Sequence, residues 1–79
     1  MVTPESIQNS IEHGMDTQYL SVSGDGQHFE AVVVSEEFAG KSRVQRHQRV
    51  YQTLGDRMRE EIHALSMKTF TPQEWEKQT

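Results

Sequence analysis

Two spacings of apolar residues alternate along this chain, and the changes from one to the other mark its elements. Ile7, Ile11 and Met15 recur every four residues, the spacing of one stripe of an α-helix. Thr3 offers an N-cap oxygen, Pro4 takes the first helical position, and Gly14 marks the expected end. Next to that end, His13 reads as a surface histidine that suits a helix carboxyl terminus when charged. Tyr19 to Ser23 and His28 to Ser35 then alternate with period two and predict strands. The link Gly24-Asp25-Gly26-Gln27 supplies two residues able to take positive φ, so an antiparallel hairpin is expected. Phe29, Ala31 and Val33 share one face of the second strand. Its other face, Glu30, Val32 and Val34, is itself partly apolar, which places this strand inside the sheet. The glycine turn leads into a strand, whereas phosphate loops open onto a helix, so it is not read as a phosphate cradle.

Beyond a capped turn at Ser35-Glu36-Glu37-Phe38 and a break at Gly40, Val44, Gln48, Tyr51, Leu54 and Met58 follow at spacings of three or four. They predict one helix from about Ser42 to Arg59, carried through Gly55, with that stripe against a sheet. Ile62 to Phe70 predicts a third strand, with Leu65 and Met67 on one face. Strand, helix, strand implies a right-handed crossover and parallel pairing. Thr71-Pro72-Gln73-Glu74 combines an N-cap, a proline at the first helical position and a capping-box glutamate, and Trp75 is expected to fold back as a packing anchor. The order is αββααβα, an α+β class with a three-stranded mixed sheet and helices mainly on one face.

Composition narrows what such a fold can do. With 79 residues, 33% hydrophobic content and a mean hydropathy of −0.80, residues 1–79 predict a single domain with a thin core and no large cleft. Cysteine is absent, which excludes disulfides, thiolate nucleophiles and a thiolate metal site from this chain. No nucleophile elbow, HExxH helix or EF-hand loop is present, so the protein is not expected to be an enzyme. Neither a leader-like start nor an apolar run long enough for a bilayer is read, and the expected setting is cytoplasmic, without a membrane. Charge is unevenly spread. Residues 41–59 carry Lys41, Arg43, Arg46, Arg49, Arg57 and Arg59 against Asp56 alone, within a chain of net charge −4. A contact with an anionic partner would therefore use this segment, through Lys41, Arg43, Arg46 and Arg49.

The histidines carry the remaining chemistry. His28 begins the second strand and His63 the third. If those strands are parallel neighbours, their starts lie at one end of the sheet, and two neutral imidazoles there form half of a transition-metal site. An iron–sulfur cluster needs four ligands, so any cluster must be shared with a partner. His47, in mid-helix, is expected to pack or to bond the sheet.

The run from Ser35 to Tyr51, with Ile62-His63-Ala64-Leu65-Ser66-Met67-Lys68-Thr69 and Thr71-Pro72-Gln73-Glu74-Trp75, closely resembles the BolA family over nearly the whole chain. Ser23-Gly24-Asp25-Gly26-Gln27-His28-Phe29 is most similar to the short bacterial branch called IbaG. The resemblance implies a fold related to the class II KH domain and association with a monothiol glutaredoxin. It also implies a [2Fe–2S] cluster shared with the glutaredoxin and glutathione, with none expected in the isolated chain. The family's histidine in its HAL motif falls on His63, and its variable hairpin position on His28. The free protein is expected to be a monomer or weak homodimer. The alternative is a DNA-binding transcriptional regulator acting through the basic helix, although Gly40-Lys41-Ser42-Arg43 lacks the second glycine of a KH clamp.

Overall fold

The computed structural model describes residues 2–78. Helix α1 spans Pro4–Gly14, and its amino terminus is closed reciprocally. Ser6 N–H donates to Thr3 Oγ1 at 3.1 Å, and Thr3 N–H to Ser6 Oγ at 3.3 Å. Strands β1 (Tyr19–Gly24) and β2 (His28–Val34) form the expected hairpin, paired from Tyr19 with Val34 to Gly24 with Phe29. A single 3-10 turn, Glu36–Phe38, leads to α2 (Arg43–Leu54), which opens on a second capping box between Ser42 and Gln45. A short α3 (Arg57–Glu60), strand β3 (Ala64–Phe70) and α4 (Pro72–Gln78) complete the order.

The sheet runs β1-β2-β3, with β2 central and β3 parallel to it, from His28 opposite Ala64 to Val34 opposite Phe70. The parallel pair and its helical crossover are those the periodicity predicts. Leu20, Val22, Phe29, Ala31, Val33, Leu65 and Met67 face α1 and α2 and meet Ile7, Ile11, Phe38, Val50 and Leu54 in one core. The opposite face of the sheet is polar at the hairpin end, with Ser23, Glu30 and Ser66. At the other end Trp75 covers it, stacking on Tyr19 at 5.0 Å and tilting onto Phe70 at 5.3 Å. Val34 is fully buried at this end, so Trp75 is the anchor its position suggested.

Two expectations are corrected. The helix from about Ser42 to Arg59 is two helices. Gly55 takes φ 56°, and its N–H closes the last turn on Tyr51 C=O at 3.1 Å. Glycine at a helix end reaches this conformation at little cost, so the stop signal outweighs the apolar period running across it. The buried face of α2 is also not the Val44, Gln48, Tyr51 stripe. Val44 is 64% and Tyr51 37% exposed, while Val50 and Leu54 are 0% and 3%. The inward stripe runs through Arg46 and His47 to Val50 and Leu54, because long polar side chains bury their stems and carry their heads to partners at the rim. No described helix is long and apolar enough to cross a membrane.

Candidate functional site

Asp25 shapes the hairpin tip. Its Oδ1 accepts from His28 N–H at 2.9 Å and Gln27 N–H at 3.0 Å, and these backbone donors, His28 first, hold its carboxyl below the usual range. Gly24 has no room for a side chain, since a Cβ there would meet His28 C=O and Phe29. The turn thus presses tightly on the residue that starts β2 and sets where His28 emerges.

His28 stands opposite Ala64 in the parallel register, and His63 is the residue before Ala64, in the bend that joins α3 to β3. Both histidines therefore lie at the amino ends of adjacent parallel strands, as the sequence predicts. Both are exposed. Strict alternation assigns His28 to the face of Glu30 and Val32, and His63 to the other; the bend at His63 lies ahead of the ladder and is not bound by that alternation. Among the described residues no group of three or more His, Cys, Asp or Glu converges as a metal site. What the chain offers is two imidazole side chains, which fits half of a shared ligand set and no complete one.

The predicted basic residues divide in three ways. Lys41 and Arg43 are exposed and form no salt bridge among the described residues. Arg46 is turned inward. It grips Glu74 with two nitrogens at 2.7 and 3.2 Å, donates from Nε to Lys41 C=O at 3.0 Å, and lies over the Phe38 ring. That pairing, with Thr71 N–H, holds the Glu74 carboxyl down at about 2. Arg49 lies on another side, donating to Glu37 Oε1 at 2.9 Å and Gly14 C=O at 3.0 Å. Glu37 in turn accepts from Asp16 N–H at 3.0 Å, and that bond, ahead of Arg49, lowers its pKa. Sequence reasoning counted Arg57 only as part of the basic segment; it ties α3 to α1 through Ser6 C=O and Oγ and Ser10 Oγ at 2.7–3.0 Å. Sequence reasoning missed Lys68, which only the folded sheet brings beside Lys41 and Arg43. Together with Arg46 and His47 these line a groove of about 370 Å³ along the outer side of β3. His47 packs there half-buried, and burial first, then the charge of Arg43, pushes its pKa below the ordinary imidazole value.

This is a small α+β domain, built on a mixed three-stranded sheet, that presents two free imidazoles at one end and a cationic groove along one edge. The chain belongs to the BolA-like protein family, whose model matches residues 2–74. It is 47% identical to the DNA-binding transcriptional regulator BolA of Haemophilus influenzae, over 99% of this chain and 85% of that protein. It is 43% identical to the acid stress protein IbaG of Escherichia coli (strain K12), over 87% of this chain and 83% of the relative. A BolA protein homologue from Coxiella burnetii has the same fold, with a TM-score of 0.86 at 48% identity, covering 96% of this chain and 99% of that one. Relatives named for BolA and for IbaG thus match at similar identity, and their names are those of a regulator and a stress protein, not of enzymes.

Proposed function

We propose that this protein is a non-enzymatic partner of a monothiol glutaredoxin and shares a [2Fe–2S] cluster with it, His28 and His63 supplying this chain's two ligands. The observation that carries the reading is the register. His28 opposite Ala64 brings two exposed imidazoles to the ends of neighbouring strands, beside a turn whose Asp25 bonds fix the backbone of one of them. A chain with no cysteine and two such nitrogens suits a cluster completed by a partner's thiolates. When bound, histidine ligation raises a cluster's reduction potential and makes it sensitive to protonation. The residues of this chain hold the two ring nitrogens exposed and leave the end of the sheet open to a partner.

The test is a visible absorption and circular dichroism titration into a [2Fe–2S]-loaded monothiol glutaredoxin with glutathione. Wild type should change the spectrum up to a one-to-one ratio, and His63→Ala should abolish the change. An unchanged spectrum with wild type refutes the proposal. A second reading, a DNA-binding regulator, is favoured by the name of the Haemophilus relative and by the free charges of Lys41, Arg43 and Lys68. With Arg46 and Arg49 engaged inside the chain, it predicts a shallow salt slope, roughly −3 for three phosphates neutralised.

A further inference from the structure

Strand β3 lies at the edge of the sheet, and its backbone groups sort by side. Phe70 C=O accepts from Ser35 N–H at 2.9 Å, on the side of β2, and Thr69 C=O accepts from Arg46 Nη1 at 3.4 Å, on the other. In a parallel ladder alternate residues direct both main-chain groups to the same neighbour. Ala64, Ser66, Lys68 and Phe70 therefore pair with β2, while Leu65, Met67 and Thr69 turn outward. Arg46 takes the outward Thr69 carbonyl. Among the described residues, the N–H groups of Leu65, Met67 and Thr69 and the carbonyls of Leu65 and Met67 make no hydrogen bond outside the strand ladder.

Beside this edge lies the groove of about 370 Å³ between β3 and the start of α2, with Met67 and Thr69 on its floor and Lys41, Arg43 and Lys68 around it. Glu74 neutralises Arg46, so the free charge comes from Lys41, Arg43 and Lys68, in a protein whose net charge is −4. The exposed Glu30 of the central strand lines the adjoining cavity on the outer face of the sheet, which Arg43 and Lys68 also border.

We propose that the edge of β3 is a docking strand for an extended acidic segment of a partner protein, which pairs with Leu65, Met67 and Thr69 as a fourth strand while its carboxylates meet Lys41, Arg43 and Lys68. Two properties favour a peptide over nucleic acid. Outward N–H and C=O groups alternate, which matches another main chain, whereas phosphates would meet the Leu65 and Met67 carbonyls with like partial charge. The Arg46 contact closes the carboxyl end, leaving a window of about four to five residues, a short strand in length. The pairing edge begins at Leu65, two residues beyond His63, but the cations that select the partner lie toward the carboxyl end of β3 and are distinct from the histidine pair. It goes beyond the shared-cluster reading and does not depend on it.

The experiment measures binding of a fluorescent ten-residue peptide alternating Glu with Val and Thr, by anisotropy and by amide shifts in NMR. Controls are the same peptide N-methylated at alternate residues and an oligonucleotide of equal charge. Saturable binding is expected, with shifts centred on Leu65, Met67 and Thr69. N-methylation on the pairing side should abolish it, and the exposed charge reversals Arg43→Glu and Lys68→Glu should each weaken it about tenfold, with unchanged circular dichroism spectra showing that both fold. Absence of binding overturns the proposal. So does binding indifferent to N-methylation, or an oligonucleotide that binds the groove more tightly than the peptide.

Discussion

Two valines on one helix provide a controlled test of how α2 packs. Val44 and Val50 lie six residues apart in α2, yet Val50 is fully buried and Val44 is 64% exposed. Changing either to alanine removes the same two methyl groups. At Val50 the lost transfer energy is about 1.6 kcal/mol, from ~0.8 kcal/mol per methylene. The cavity left against Ile7, Phe38 and Leu54 adds about 1 kcal/mol, and the better helix propensity of alanine returns about 0.5 kcal/mol. The net cost is about 2 kcal/mol, a large share of the ~4–12 kcal/mol expected for a domain this small, and it should lower the melting temperature by roughly 8–16 °C. At Val44 only about a third of the burial term applies, and the propensity gain cancels it to within about 0.5 kcal/mol. Urea unfolding followed by Trp75 fluorescence and far-ultraviolet circular dichroism measures both. Trp75 stacks at the other side of the sheet, so it reports loss of the whole fold and not fraying of α2. If Val44→Ala costs as much as Val50→Ala, the assignment of the buried face is wrong.

Gly14→Ala would place a Cβ at 2.7 Å from Thr53 Cβ, a side chain fixed by its 2.6 Å bond to Val50 C=O. The crowding should outweigh the propensity gain and destabilise by about 1–2 kcal/mol in the same assay. His47 has a lowered pKa in the folded state, so the unfolded chain binds its proton first as pH falls below about 6.5. Its contribution is neutral above that pH and destabilising below it. The urea midpoint should fall between pH 7.5 and 5.5, and His47→Gln should flatten part of that decline. Glu74 behaves in the opposite sense: its carboxylate, held at about 2, stabilises above the ordinary value of 4.5 and loses that effect on the way down to 2. The deficit of Glu74→Gln relative to wild type should therefore be full at pH 7 and vanish as pH approaches 2.

The parts of the fold that the sequence announces are those with local causes. Thr3-Pro4, Ser42 and Thr71-Pro72 mark three helix starts through caps that need only neighbouring residues. The period-two runs and the glycine turn define the hairpin in the same way, and the crossover rule then makes β2 and β3 parallel. That was enough to bring His28 and His63 to one end. The face of α2 was illegible for a different reason. Val44 and Tyr51 are apolar and outside, which surfaces tolerate, while Arg46 and His47 are polar and half-buried, Arg46 being satisfied by Glu74 far along the chain. The same distance hides the fate of the basic segment. Arg46 finds Glu74 across 28 residues and Arg49 finds Glu37 across 12, so charges that read as a binding stripe serve largely to pin α2 to α4 and to the 3-10 turn. Lys68 went unnoticed for the converse reason: nothing near it in sequence is basic, and only parallel pairing carries it to the start of α2.

Topology also explains why the two exposed surfaces stay apart. A crossover between parallel strands must begin where β2 ends and return to where β3 begins. The amino terminus of α2, with Lys41 and Arg43, is therefore held at the carboxyl end of the sheet, while its other end delivers the chain through α3 to His63. Lys68 lies five residues of extended chain beyond His63, roughly 17 Å, which sets the separation between the histidine pair and the cations of the groove. Groups that far apart, with no shared partner, act additively. His63→Ala should thus leave acidic-peptide binding at the β3 edge intact, and Lys68→Glu should leave the spectral titration with glutaredoxin intact. Loss of both activities from either single change would mean that one partner spans both surfaces, with the length of β3 setting the reach it needs.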